Sequence, residues 1–284
     1  TLIIVNIQII NKNLNLFKVR LIGGILLKRV KRLLSLGIML SSVSLALVGC
    51  GTDKTGENGG DKKYIVGTDA TYAPMEYMDD KGNIVGTDID IIKALAKELD
   101  IEVEFKNYGW EPLFTAVSNE EVDFAVSSIT ITDERKETYD FSDPYYAANQ
   151  LILVPEESSV AKFEDLKDKK VSVQINTTGH KVVQELLGNT SSKIVATESM
   201  PLAISEMLNG NADASIGDNA VINEYKKNNP KVALKTVEDE AFDKEYYGLM
   251  VKKGNEELLT LLNEGIEKLK ANGKLKEITG FNVE

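Results

Sequence analysis

From Lys62 onward, short apolar runs alternate with stretches of helical periodicity, and this alternation constrains the fold more than any other feature. The apolar runs predict strands at 64–66, 101–105 and 122–126. The periodic stretches between them predict helices at 88–99 and 111–118. Thr87 or Asp88 can cap the first of these helices. Strand–helix–strand order predicts a mostly parallel sheet that is covered by helices.

A second set of the same kind begins with the apolar run at 151–154, which ends at Pro155. Its further strands are predicted at 171–174, 194–195 and 212–216. Its helices are predicted at 163–166, 180–187, 201–208 and 220–227, and a last helical segment covers 256–278. Two such sets in a chain of 284 residues predict an α/β protein with two lobes.

The charge of the chain is distributed unevenly. Residues 1–50 hold seven of the 33 basic residues and no acid, which leaves 26 basic and 44 acidic residues in the rest. The resulting formal charge of about −18 argues against nucleic-acid binding, because that function needs basic surface to neutralise phosphates. An acidic surface favours cationic ligands through electrostatic steering, although it also serves solubility alone.

The N-terminal residues are typical of a targeting segment and a tether. Lys28-Arg29 and Lys31-Arg32 precede an apolar stretch, 33–48, that is short for a membrane span. Cys50, the only cysteine in the chain, closes this stretch and is followed by a polar, glycine-rich run. This pattern resembles the lipobox of bacterial lipoproteins, in which the cysteine is lipidated and the chain is cut before it. We therefore expect 1–29 to be a spurious or extended start, 30–49 a lipoprotein signal peptide, and 50–61 a flexible tether.

A lipid on Cys50 predicts a soluble part held at the outer face of the cell membrane, as in surface lipoproteins of the Gram-positive type. True initiation is expected near Leu27 or Val30.

The sequence offers few of the residues that common catalytic sites require. His180 is the only histidine and, like Cys50, stands alone, so neither a zinc cluster nor a Ser-His-Asp or Cys-His constellation is expected. We expect His180 to be an exposed polar residue near a helix start. The common nucleotide and nucleophile-elbow motifs are absent from the sequence, so no cofactor, metal or catalytic residue is predicted. Carboxylates are numerous, which leaves a paired-acid mechanism open on counts alone.

Three predicted strands end in polar residues that suit a ligand. The first is followed by the hydroxyls of Ser127, Ser128 and Thr130 and then by Arg135, whose planar fork suits a carboxylate. The second is followed by 176–179, small residues before a helix, where free backbone N–H groups favour an anion. The third ends at Asp218, a carboxylate. In open α/β folds ligands bind at the carboxyl ends of strands, so the three ends together predict a site for a zwitterion.

Five motifs carry a resemblance to a known family. They are G-T-D-A-T-Y-A-P-M-E-Y (67–77), G-T-D-I-D (86–90), S-S-I-T-I-T-D-E-R (127–135), Y-D-F-S-D-P-Y-Y (139–146) and Y-Y-G-L-M-V-K-K-G (246–254). The chain resembles, from about Lys62 to Gly280, the polar amino-acid binding proteins of ABC importers, the bacterial extracellular solute-binding protein family 3, and looks most similar to arginine and lysine binders. The resemblance implies the two-lobe periplasmic-binding fold of type II, with the first lobe at 62–147 and 248–284 and the second at 148–247. It also implies partners: an L-amino acid, a permease and its ATPase subunit.

The resemblance also implies roles for the polar residues around the α-amino acid group. The guanidinium of Arg135 is expected to bind the ligand α-carboxylate, with the backbone amides of Thr130 and Thr178. Asp218 is expected to bind the α-ammonium group, assisted by Ser128 and Thr130. One departure lies beside this clamp, because Asn176 replaces the usual glycine, although asparagine tolerates left-handed geometry. Thr87 also stands where an aromatic residue is common.

The ligand side chain is expected to lie between two rings, those of Tyr72 and Trp110. The loop-like sequence at 108–112 predicts that Trp110, the only tryptophan, is an exposed platform. The resemblance places three further residues at the distal end of the side chain: Asp69, Ser127 and Gln174.

Asp69 and the two rings favour arginine or lysine as ligand. Glutamine is the alternative, because Gln174 and Ser127 suit an amide, and cystine or histidine follow. A dehydratase of the cyclohexadienyl or arogenate type on the same fold is a remote alternative, as is a sensory or adhesion role.

Overall fold

The structure is a computed structural model that describes residues 63–283 of the chain. These residues belong to a compact unit that spans Glu57–Glu284. The predictions for 1–29, 30–49, 50–61 and Cys50 lie outside the described residues. None of the helices within 63–283 has the length and hydropathy that a membrane crossing requires.

Helices and strands alternate along the described chain. The first elements are β1 (Lys63–Thr68), β2 (Thr71–Tyr72), β3 (Glu76–Met78), β4 (Ile84–Val85), α1 (Thr87–Leu99), β5 (Glu102–Asn107), α2 (Trp110–Ser118), β6 (Phe124–Ala125), α3 (Asp133–Thr138), β7 (Tyr139–Phe141) and β8 (Tyr146–Ala148). The chain continues with β9 (Gln150–Pro155), a 3-10 helix (Phe163–Leu166), β10 (Val171–Gln174), α4 (Thr178–Leu187), β11 (Ile194–Thr197), α5 (Met200–Leu208), β12 (Ala214–Asp218), α6 (Asn219–Asn228), β13 (Leu234–Val237), β14 (Glu245–Tyr247), β15 (Met250–Lys252), α7 (Glu256–Ala271) and α8 (Lys274–Thr279).

The helix predicted at 88–99 forms α1, and its apolar stripe is buried in the core. Its start differs from the prediction, because neither Thr87 nor Asp88 caps it. Gly86 precedes the helix with φ of 130°, and a Cβ built there would lie 2.2 Å from the carbonyl oxygen of Met75. Only glycine fits this position, so the chain enters α1 through a tight backbone contact and Asp88 turns inward.

Two mixed sheets form the two lobes. In the described chain the first sheet has the strand order β5-β1-β6-β15-β7, and the second has the order β11-β10-β12-β9-β13. In each sheet four strands run in the same direction, while β15 or β9 runs against both of its neighbours. We call the elements around these sheets the first lobe and the second lobe. The predicted α/β class with mostly parallel strands is confirmed, with one antiparallel strand in each sheet that the sequence did not indicate.

The chain passes between the lobes at an antiparallel ladder formed by β8 and β14, which we call the crossing ladder. Tyr146 pairs with Tyr247, and Ala148 pairs with Glu245. The lobe boundaries predicted at 147/148 and 247/248 lie within this ladder, and they stay a prediction.

The strands of both lobes direct their carboxyl ends to one place. β1 and β6 end just before Asp69 and Ser127, while β10 and β12 end at Gln174 and Asp218. Residues from all four ends line the same cavity. This is the sheet edge at which open α/β folds bind ligands.

Candidate functional site

A cavity lies between the strand ends of the two lobes. Its lining residues are Asp69, Tyr72, Glu76, Trp110, Ser127, Ser128, Thr130, Arg135, Gln174, Thr177, Thr178 and Asp218. All ten predicted ligand-binding residues are in this set, together with Glu76 and Thr177. Which of them contact a ligand stays a prediction.

Arg135 supplies the positive charge of the cavity. It lies in the first turn of α3, whose start is fixed by the Thr132 hydroxyl, which accepts from the backbone N–H of Arg135 at 3.1 Å. Nη1 donates to the carbonyl of Thr130 at 2.9 Å, and Nη2 donates to the carbonyl of Asn176 in the second lobe at 3.2 Å. Burial lowers the pKa of Arg135, against the nearby negative charges of Glu245, Asp218 and Glu134. These contacts use two of the five guanidinium donors, and the others remain for a carboxylate.

The start of α4 adds backbone donors to the same side. Thr177 is the N-cap residue, and its hydroxyl accepts from the N–H of His180 at 3.1 Å. Asn176 has φ of 56°, the left-handed geometry that glycine would adopt more freely. The expectation of an exposed His180 is wrong: its side chain is buried, and Nδ1 accepts from the N–H of Asn176 at 3.1 Å. Burial lowers the pKa of His180, so the ring supports the loop as a neutral acceptor.

Asp218 supplies a buried carboxylate at the end of β12. Its Oδ1 accepts from Nε2 of Gln150 at 2.6 Å, and its Oδ2 accepts from the hydroxyl of Tyr247 at 2.5 Å. Burial raises the pKa of Asp218, although these hydrogen bonds and the charge of Arg135 oppose the shift. A carboxylate that is buried in this way gains most from an additional cationic partner.

Two aromatic rings wall the cavity, and both are buried. Trp110 is not the exposed platform that the sequence predicted, because it is the first residue of α2 and only 8% of its surface is exposed. Gly109 precedes the helix and Pro112 lies in its first turn, a position that tolerates proline, so the run is a helix start and not a loop. The ring packs edge-on against Phe114 and lies 5.3 Å from the guanidinium carbon of Arg135.

Asp69 connects the two lobes at another part of the cavity. Its Oδ2 accepts from Nε2 of Gln174 in the second lobe at 3.2 Å, and its backbone N–H donates to the Ser127 hydroxyl at 3.0 Å. Burial raises the pKa of Asp69, with hydrogen bonds from Thr71 and Gln174 opposing it. A cationic side chain would relieve the cost of this buried carboxylate.

With this geometry established, comparison with known proteins identifies the family. Residues 64–280 match the family model described as bacterial extracellular solute-binding proteins, family 3. The chain belongs to this family. The resemblance noted in the sequence motifs is thereby confirmed.

Curated relatives and a solved structure agree with the assignment. A "Probable histidine-binding protein" of Neisseria gonorrhoeae is 42% identical over 218 residues, which cover 76% of this chain and 81% of the relative. The arginine-binding extracellular protein ArtP of Bacillus subtilis is 31% identical over 241 residues, which cover 85% of this chain and 94% of ArtP. The crystal structure of the arginine-, lysine-, histidine-binding protein ArtJ from Geobacillus stearothermophilus has a TM-score of 0.75 and 46% identity, and the match covers 78% of this chain and 97% of ArtJ. The two-lobe fold class is therefore confirmed, and these relatives are binding proteins by name.

A buried pair of carboxyl groups beside the cavity was missed at the level of sequence. Glu76 accepts from the hydroxyls of Ser127 at 2.9 Å and Ser128 at 3.3 Å, while Asp88 accepts from the N–H of Ser128 at 2.7 Å and the hydroxyl of Tyr145 at 2.9 Å. Glu76 follows a buried Met75, and Asp88 lies at the start of an apolar helix face. The sequence signal for this pair is an acidic residue within an otherwise apolar pattern, which indicates a buried carboxyl group.

The two carboxyl groups are hydrogen-bonded to each other, and the pKa of each is raised. Burial raises the pKa of Asp88 to about 6, and burial together with the charge of Asp88 raises that of Glu76 well above its usual value. Protonation of either carboxyl group relieves the repulsion between two buried negative charges. Among residues 63–283 no group of three acidic, histidine or cysteine side chains is arranged to hold a metal ion.

The raised pKa values of this pair predict a pH dependence of stability. The folded-state pKa values of both groups lie above their unfolded values, so their contribution to stability is present at pH 4 and below and is lost as the pH rises through about 6 and beyond. Glu76→Gln keeps a donor toward Asp88 without a titrating proton. We expect it to raise the free energy of unfolding at pH 8 by about 1 kcal/mol or more, with a smaller effect at pH 5.

Urea denaturation of the ligand-free protein at the two pH values measures this difference. The exposed Glu238→Gln change is the control and is expected to have no pH-dependent effect. Equal pH profiles for Glu76→Gln and the unmodified protein would contradict the raised pKa values of the pair.

Proposed function

We propose that this protein captures a polar L-amino acid with a basic side chain, arginine or lysine, and delivers it to the permease of an ABC importer. The observation that carries the proposal is the composition of the cavity. Arg135 and Asp218 offer opposite charges, and Asp69 adds a further carboxylate between the two lobes. This set of charges complements an α-carboxylate, an α-ammonium group and a cationic side chain.

Each end of the ligand backbone meets a partner of opposite charge. The free donors of Arg135 and the N–H groups at the start of α4 bind the α-carboxylate. Asp218 binds the α-ammonium group. This cationic partner offsets the loss of hydration that the carboxylate suffers on burial.

Ligand binding closes the lobes because the contacts come from both of them. Arg135 and Trp110 belong to the first lobe, whereas Asp218 and Thr178 belong to the second. A ligand held by all four interacts more strongly with the closed state than with an open one. It therefore shifts the population toward closure, which is the form that a permease can recognise.

The side-chain preference rests on Asp69 and the two rings. A guanidinium or ammonium group between Tyr72 and Trp110 gains cation–π attraction and reaches a carboxylate. The relatives described above, whose names refer to arginine, lysine or histidine, support a basic ligand.

Calorimetric titration with the twenty amino acids tests the proposal. We expect arginine and lysine to bind with dissociation constants at least tenfold below that of glutamine, since loss of a buried charge-assisted contact costs about 1.5–3 kcal/mol. Asp69→Asn is expected to reduce the affinity for arginine and lysine and to leave that for glutamine within about twofold. Tighter binding of glutamine than of arginine would reverse the assignment and favour Gln174 and Ser127 as partners of an amide. Cystine and histidine complete the panel.

A dehydratase on the same fold is the second candidate. The observation in its favour is Glu76, a carboxyl group that lines the cavity and whose pKa is raised well above its usual value by burial and by the charge of Asp88. Incubation with prephenate or arogenate, followed by a search for an aromatic product, distinguishes the two functions. We expect no product.

The anchor is proposed on the sequence around Cys50. Lipidation there places the protein at the outer face of the membrane, where a permease is accessible to it. Mass spectrometry of the mature protein tests this proposal, and an unmodified Cys50 would contradict it.

A further inference from the structure

Glu245 is a charged residue near the cavity that the function proposed above does not use. It is the first residue of β14 and pairs with Ala148 in the crossing ladder, where the chain passes between the lobes. Its side chain is partly buried, and it is not one of the residues that line the cavity. A carboxylate at this position needs hydrogen-bond donors to offset the cost of its burial.

The donors come from both lobes. Oε2 of Glu245 accepts from the hydroxyl of Thr130 at 2.8 Å in the first lobe and from the hydroxyl of Thr178 at 2.8 Å in the second. Oε1 accepts from Nε2 of Gln150 at 3.2 Å, also in the second lobe. One carboxylate thus joins the lobes directly, in the ladder at which the chain passes between them.

These bonds determine how the two threonines can act in the cavity. A hydroxyl has a single proton, and here both protons are donated to Glu245. Toward a ligand, Thr130 and Thr178 therefore offer lone pairs only. Their side chains suit an ammonium group and do not suit a carboxylate, which leaves the carboxylate to Arg135 and to backbone N–H groups.

The charges around Glu245 support this arrangement. Burial raises the pKa of Glu245, and the charge of Asp218 raises it further, whereas the hydrogen bonds from Thr130, Thr178 and Gln150 lower it. The charges of Glu245, Asp218 and Glu134 all favour the charged form of Arg135 and so oppose the lowering of its pKa by burial. Separation of the lobes would remove hydrogen-bond donors from the Glu245 carboxylate, because Thr130 and Thr178 belong to different lobes.

We propose that Glu245 is a positioning residue that latches the two lobes together and fixes the hydroxyls of Thr130 and Thr178 as acceptors. The inference extends the proposed amino-acid binding function, but the contacts on which it rests are all between protein groups. Loss of the latch is expected to speed ligand release, because release requires the lobes to open.

Tryptophan fluorescence after rapid mixing measures the release rate, since Trp110 is the only tryptophan in the chain and lines the cavity. Arginine is the probe. We expect Glu245→Ala to increase the dissociation rate roughly 10- to 100-fold, and Glu245→Gln to increase it less, because one amide oxygen still accepts a hydroxyl proton. Glu240→Gln, an exposed change in the segment before β14, is the control and is expected to leave the rate unchanged. Dissociation rates within twofold of the unmodified protein in both Glu245 variants would overturn the latch.

A second measurement does not depend on the ligand. Dyes on Lys93→Cys in the first lobe and Lys231→Cys in the second, in a Cys50→Ser background, report the distance between the lobes by energy transfer. We expect ligand-free Glu245→Ala to show a longer mean distance than its parent, and an unchanged distance would refute the latch. If the alanine variant is unfolded by circular dichroism, the isosteric Glu245→Gln decides the question. Failure of the unmodified protein to bind any amino acid would contradict the proposed function alone, because the dye distances still test Glu245.

Discussion

Replacing Arg135 with alanine is expected to weaken amino-acid binding by roughly 2–5 kcal/mol, because the ligand carboxylate loses its charged partner. Within the protein, the change removes two hydrogen bonds to the carbonyls of Thr130 and Asn176 and the contact with the Trp110 ring. We therefore expect the variant to keep a cooperative unfolding transition. The substitution is expected to reduce ligand affinity more than stability. Titration calorimetry with arginine, together with a thermal melt, measures both quantities.

The neighbouring Lys136→Ala is the matched control. Lys136 is also cationic and lies on α3, but its side chain is exposed. Its Nζ lies 3.8 Å from Oδ1 of Asp133, a weak surface ion pair. Its removal is expected to leave the affinity within about twofold of the unmodified protein, since exposed charges contribute little. Near-normal affinity in Arg135→Ala would refute the role of its guanidinium.

Asp218→Asn is expected to have opposite effects on binding and on stability. The change removes the partner of the ligand ammonium group, which costs about 3–5 kcal/mol when the remaining charge stays buried. Burial raises the folded-state pKa of Asp218 above its unfolded value, so its contribution to stability is present below pH 4 and is lost as the pH rises through the folded pKa. At pH 7.5 we therefore expect the ligand-free variant to have a higher free energy of unfolding than the unmodified protein.

Two measurements separate these effects. Calorimetry at pH 7.5 gives the loss of affinity, and urea denaturation at pH 4 and pH 7.5 gives the change in stability. Asp243→Asn, an exposed change two residues before β14, serves as the control. An asparagine variant that binds arginine within fivefold of the unmodified protein would rule out Asp218 as the ammonium partner.

Much of the site was predictable because its residues follow strand ends. Ser127, Gln174 and Asp218 come directly after or at the end of apolar runs, and the alternation of strands and helices already implies that such ends meet at one sheet edge. The family motifs then added Asp69 and the two rings. All of these residues line the cavity.

The remaining features depend on contacts between residues that are far apart in the chain. β9 and β15 run antiparallel to their neighbours because each follows a passage between the lobes, which no local pattern reveals. Trp110 belongs to a helix start whose Gly and Pro residues are equally common in loops. Glu245 receives its hydrogen bonds from Thr130 and Thr178, more than 60 residues away in each case, so its local sequence gives no indication of its partners.

The position of β15 has a consequence for the order in which the protein assembles. This strand, Met250–Lys252, lies between β6 and β7, so the first sheet has a gap in its middle until nearly the whole chain is available. The second sheet draws all of its strands from one continuous stretch, Gln150 to Val237. A chain that emerges from its N-terminus can therefore complete the second sheet before the first, although the first begins earlier. The segment that closes the first sheet is the same segment that follows the crossing ladder, so the cavity and the sheet beneath it are completed in one late step.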